Sequence, residues 1–118
     1  MPSFVLLLHE HPEDYAEMSP AEMQATVERY QAWSRGLAAA GKFSLGEKLT
    51  DDGGRQLSRA GSRTIVTDGP YAEAAEVVGG LFIVIAADYA EAERIAADCP
   101  HLGHKRNRIE VRQVEALG

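Results

Sequence analysis

One cysteine, Cys99, stands among 118 residues, and a lone thiol closes no internal disulfide. Its setting, "RIAADCP" on the apolar side of an expected helix, marks it as a small buried hydrophobe, because burial among apolar groups raises a thiol's pKa. Positive charge is also scarce. Twelve Lys and Arg against eighteen Asp and Glu leave a formal net charge of −6, which repels a phosphate backbone and speaks against nucleic acid as a partner. No apolar run reaches the length of a membrane span, and "MPSFVLLLHEHPED" has no basic residue ahead of its short apolar stretch. The expectation is a cytoplasmic chain with no membrane partner. A Gly-rich phosphate loop, a nucleophile elbow, CxxC and HExxH are all missing, which counts against a nucleoside-triphosphate enzyme, a typical hydrolase and a zinc protease. No cofactor is expected.

What is present is ordinary in bulk. Hydrophobic residues at 45% and charged residues at 25% fit one soluble globular domain over residues 1–118. "SFVLLLHE" is an unbroken apolar run of strand length, so both faces of that strand are expected to be covered. "MSPAEMQATVERYQAWSRGLAAAG" then carries the marks of a helix: Ser19 as N-cap, Pro20 at the first helical position, Glu22 as the capping-box acid and Gly41 as the stop. Met23, Val27, Tyr30, Ser34 and Leu37 share one face, flanked by Thr26 and Trp33, and that face is expected to lie on a sheet as core.

"KFSLGEKLT" reads as a weaker strand in which Gly46 marks a bulge or a close backbone approach. After the "DDGG" turn, "RQLSR" and "RTIVT" pair as a hairpin. "GLFIVIAA" is the second fully apolar strand, and "DYAEAERIAADCP" is a helix capped by Asp88 and stopped by Pro100. "RIEVRQV" closes as a strand with Ile109 and Val111 on one side and Glu110 and Arg112 on the other. "HKRNR", His104 to Arg108, reads as a solvated basic loop. The plan is α+β, a ferredoxin-like βαββαβ with an inserted hairpin. Two helices cover one face of such a sheet, so the apolar groups on the other face call for a second copy of the chain, as a homodimer pairing sheet to sheet into a dimeric α/β barrel.

The stretch "VTDGPYAEAAEVVGG" raises the question of function. Asp68 can bond backbone amides further on, and Gly69 and Pro70 stiffen the turn, which makes a structural device. A carboxylate fixed at a strand end also presents an acceptor to a cavity. "DGPYAEAAEVVGG", with "FVLLLHE", the Trp33 helix, "EAERIAADCP" and "IEVRQV", resembles the YCII-related proteins, and among them the subgroup whose motif reads approximately DGPFAETKE. Tyr71 replaces the usual phenylalanine and Ala75 the usual lysine, which puts in doubt any anion-binding role of that lysine here. The resemblance implies a ferredoxin-like subunit in a dimeric α/β barrel, with histidine and aspartate near a pocket. One relative resembles a dehydrochlorinase of a hydroxylated aromatic ring and others occur beside extracytoplasmic-function sigma factors, so the resemblance permits an enzyme or a regulatory partner.

The candidate chemistry is a proton-transfer pair, His9 with Asp68, since an imidazole beside a carboxylate suits acid–base work near neutral pH. The expected activity is that of a cofactor-free lyase or isomerase on a small molecule, with a non-catalytic ligand-binding or regulatory module as the alternative. Pro70, Tyr71 and Glu73 are the ligand-binding candidates from the motif, with Arg112, whose guanidinium suits a carboxylate. Glu73 and Glu76 share a face as solvated carboxylates if "YAEAAE" turns as helix. His9 and His11 supply half of a zinc site only if His101 and His104 fold close to them, and no metal is assigned.

Overall fold

The computed structural model describes residues 1–69 and 76–117. Six strands and two helices run in the order β1 (Ser3–Glu10), α1 (Pro20–Ala39), β2 (Phe43–Lys48), β3 (Arg55–Ala60), β4 (Arg63–Asp68), β5 (Val77–Ile85), α2 (Tyr89–Ala97), β6 (Arg108–Gln113). One-turn 3-10 helices at Pro12–Tyr15 and Pro100–Gly103 complete it. The main sheet is antiparallel in the order β2-β5-β1-β6, and β3 with β4 forms a separate two-stranded sheet. Without the hairpin this is α+β and compatible with the ferredoxin-like plan.

The helix signals act as expected. The Ser19 hydroxyl accepts from the Glu22 amide while the Glu22 carboxylate reaches back to the Ser19 amide, and Asp88 caps α2 through the Glu91 amide. Gly41, at φ 73, carries the chain out of α1 in the left-handed region that glycine adopts freely. Alternation in β1 sends Phe4, Leu6 and Leu8 into the core. There they meet Val84, Ala86, Ala92, Ile95 and Ala96, with Trp33, Leu37, Phe82, Ile109 and Val111 packed around them. Each fully buried large side chain contributes about 1.5–3 kcal/mol. Cys99 is buried and its thiol is pushed up to about 11 by burial.

As the plan implies, both helices pack on one side of the sheet, and Val5, Leu7, Leu81, Ile83 and Ile85 stand half-buried on the other face, in register across β1 and β5. The expectations that need correction are two others. First, α1 is core only toward its C-terminal end. Met23 and Val27 are 47% and 40% exposed, and no residue of α1 is fully buried. Second, the basic loop is not simply solvated. Arg106 donates to Asp14 and Glu13 at 2.9 Å each, Arg108 binds Glu76 in a two-pronged pair, and Asn107 is buried.

The hairpin stands apart. Apart from Gln56 every residue of β3 and β4 is exposed, including Leu57, Ile65 and Val66. The radius of gyration is 16.3 Å, against about 13.5 Å for a compact chain of this length.

Candidate functional site

Between the N-terminal half of α1 and the β2–β5 side of the sheet lies a cavity of about 800 Å³. Its origin is in the sequence. Gly46, Gly79 and Gly80 sit where the sheet passes beneath Met23 and Val27, so no side chains rise to fill the gap. Each glycine meets a close neighbour. A Cβ on Gly46 would come 2.5 Å from the Phe82 ring, one on Gly80 would come 2.9 Å from the Glu47 carbonyl oxygen, and one on Gly79 would overlap the Glu10 carboxylate. The walls are apolar, from Leu8, Met18, Met23, Val27 and Phe82.

The floor carries a connected polar group. His101 Nε2 lies 2.9 Å from the His9 carbonyl oxygen, which can only accept, so that nitrogen carries the proton and Nδ1 is left as an acceptor. Tyr30 donates its hydroxyl to Nδ1 at 3.2 Å. The Asn107 amide nitrogen donates to the His101 carbonyl at 3.0 Å and to the Tyr15 hydroxyl. His101 and Asn107 are buried, while Tyr15, Tyr30 and His101 line the cavity. Burial lowers the His101 pKa and keeps the ring neutral, against the opposing pull of the His9 carbonyl and Glu10. Burial raises both phenols, and the Glu10 charge adds to the rise in each.

A second polar group occupies the other face of the sheet. His9 Nε2 is 3.0 Å from Glu110 and Nδ1 is 3.6 Å from Glu76. Arg112 reaches Glu110 at 3.5 Å and Arg108 reaches Glu76 at 2.7 Å, so an arginine–glutamate pair stands on each side of the His9 ring. Hydrogen bonds from His9 to Glu110 and from Arg108 to Glu76 hold both carboxyls below their usual range. Glu76 is therefore a paired carboxylate and not a solvated one.

The sequence-derived site residues separate. Among the described residues of one chain the carboxylates beside His9 are Glu110 and Glu76, while Asp68 ends β4 with its side chain 87% exposed and pairs with Arg55 at 3.2 Å. Arg112 faces away from the helices, as Ile109 and Val111 pack into the core. Pro70, Tyr71 and Glu73 lie outside the described residues. Among the four histidines, His101 is buried on the cavity floor and His104 lies 3.8 Å from Asp14. Among the described residues no three His, Cys, Asp or Glu side chains gather as a metal site, and no helix is long and apolar enough to cross a membrane.

Glu10, Tyr15 and Asn107 carry no role in the sequence reading, where Tyr30 figures as core and His101 only as a conditional zinc ligand. Two signals were available: Glu10 continues the Leu6, Leu8 alternation onto the helix side, and Tyr30 places a hydroxyl within an otherwise apolar stripe. A family model described as the YCII-related domain matches residues 3–117. No curated protein matches the chain.

Proposed function

The chain belongs to the YCII-related domain family, and from that premise we propose that it binds a largely apolar small molecule in the cavity beneath α1. The observation that carries this reading is the cavity itself. Its volume of about 800 Å³ falls within the range of ligand sites, and apolar walls with a few convergent polar groups are the usual composition of such sites. Tyr15, Tyr30 and His101 supply that polar set, held by Asn107.

The same proposal takes a second copy of the chain as the cover of the open sheet face. Val5, Leu7, Leu81 and Ile83 form an apolar strip there, beside the paired groups Arg112, Glu110, His9, Glu76 and Arg108. A second copy laid on this apolar strip covers it, and closed two-fold symmetry is the usual outcome of such a pairing, which suits a homodimer and a barrel of two sheets.

A catalytic reading stands second and rests on His9. Its imidazole lies between two carboxylates, the arrangement of a proton-transfer group. In a cofactor-free lyase or isomerase the carboxylate partner of His9 is Glu110 within the chain. The cavity reading stands ahead because the His9 side chain is not part of the lining.

Filling the cavity separates the two. Thermal unfolding with toluene and with phenol is expected to show stabilisation of the wild type by mass action, and Val27→Trp is expected to abolish it while leaving the fold intact. Absence of any shift in the wild type, or an equal shift in the filled variant, removes the cavity as the site.

A further inference from the structure

The charges around the cavity are unbalanced in one direction. Glu10, Glu47 and Asp51 line it, and Lys48 is the cation among the described lining residues. That cation is already engaged, its Nζ donating to the Leu49 carbonyl at 2.6 Å and to Asp51 at 3.3 Å. The stretch Pro70–Ala75, "PYAEAA", contains no Lys or Arg and one acid, Glu73. The hairpin does carry Arg55, Arg59 and Arg63, but none of them is among the lining residues.

Glu10 is the acid placed to act inside. It follows Leu8 by two residues on the helix side of β1, and its carboxylate lies across Gly79, in space that a Cβ there would occupy. Among the described residues nothing donates a hydrogen bond to it. The two nearby phenols differ: Tyr15 accepts from the Asn107 amide and keeps its hydrogen, whereas Tyr30 leaves an acceptor. Tyr30 lines the cavity and spends its hydrogen on His101 Nδ1, which leaves its oxygen able only to accept. Neighbouring aromatic faces, Tyr30 stacked with Phe82 at 6.1 Å between centroids, suit a cation as well as an apolar ring.

Apolar walls, a hydroxyl fixed as acceptor and, among the described residues, a carboxylate with no partner and no free cation specify the ligand's chemistry. We infer that the cavity takes an apolar molecule bearing a cationic amine, with Glu10 and the Tyr30 oxygen as the acceptors of its N–H groups. This inference rests on the cavity reading above and adds the class of ligand. It also assigns a purpose to Gly79, which keeps clear the space in which the Glu10 carboxylate lies.

The probes are 2-phenylethylamine, its neutral relative propylbenzene and its anionic relative 3-phenylpropanoate, measured by calorimetry and by thermal shift on the full chain. The amine is expected to bind the wild type at least about tenfold more tightly than propylbenzene, as a charge-assisted hydrogen bond implies, and the anion more weakly than either. Glu10→Gln is expected to remove that preference and leave propylbenzene binding unchanged. Gly79→Ala, which displaces the carboxylate end of a flexible side chain, is expected to weaken the amine selectively too. Equal binding of amine and propylbenzene, tighter binding of the anion, or an unaltered preference in Glu10→Gln overturns the amine assignment while the cavity stands. If none of the three binds, the cavity reading fails with it.

Discussion

The Tyr30 hydroxyl donates to Nδ1 of His101 at 3.2 Å, joining the middle of α1 to the turn after α2. The bond fixes a tautomer, because the other ring nitrogen donates to the His9 carbonyl, and so it ties α1, β1 and the Pro100 turn into one unit at the cavity floor. Tyr30→Phe removes the donor and leaves His101 Nδ1 to the longer contact with the Asn107 amide at 3.4 Å. The expected cost is about 1–2 kcal/mol of folding stability, read from urea unfolding with the slope unchanged. A variant as stable as the wild type shows that the bond contributes nothing net.

His101 also sets a pH dependence. Burial lowers its pKa below the ordinary 6.5, so as pH falls through that value the unfolded chain takes up a proton that the folded chain refuses. Stability contributed by the neutral ring is complete above about pH 6.5 and declines below it, toward the lowered folded value. The paired carboxylates, Glu76 and Glu110 among them, are also lowered but lose their contribution only in a more acidic range. In His101→Gln the fall in stability between about pH 7 and pH 5 is expected to flatten. An unchanged profile assigns the effect to other groups.

Gly46 is where the sheet admits the Phe82 ring, which packs at once against Trp33, Tyr30 and Phe43. Gly46→Ala puts a methyl 2.5 Å from that ring. Overpacking of this kind costs about 1–3 kcal/mol, because the ring is held on three sides. Denaturant unfolding reads the loss, and a neutral result means that Phe82 moves into the cavity without strain.

The open sheet face yields a prediction about assembly. Ile83→Lys places a charge in the middle of the apolar strip while the core side of β5 keeps Val84 and Phe82. Sedimentation is expected to give a dimer for the wild type and a folded monomer for the variant. A wild-type monomer at all concentrations refutes the proposed cover.

Elements defined by local chemistry were legible from the sequence. Ser19 with Glu22, Asp88 with Glu91, and the paired runs "RQLSR" and "RTIVT" each name their own structure through neighbours a few residues away. The cavity was less legible. A stripe containing Met23, Val27 and Tyr30 has the same spacing whether it meets side chains or three glycines, and those glycines lie on β2 and β5, remote in sequence. Asp68 and His9 were paired on the strength of residue type, whereas the sheet register puts Arg108 opposite His9 and brings Glu110 within 3.0 Å. Partners chosen across a sheet depend on strand order, which no short motif encodes.

The hairpin has one more consequence. The Gly69 amide donates to the Gly54 carbonyl at 3.1 Å, so β3 departs and β4 returns at a single closed root, and the four-stranded sheet does not depend on what lies between. In engineering terms that root is a graft port. Its strands can be shortened, lengthened or exchanged for a foreign loop with the core of Phe4, Leu6 and Val84 left untouched, as exposed hairpins between completed elements generally allow.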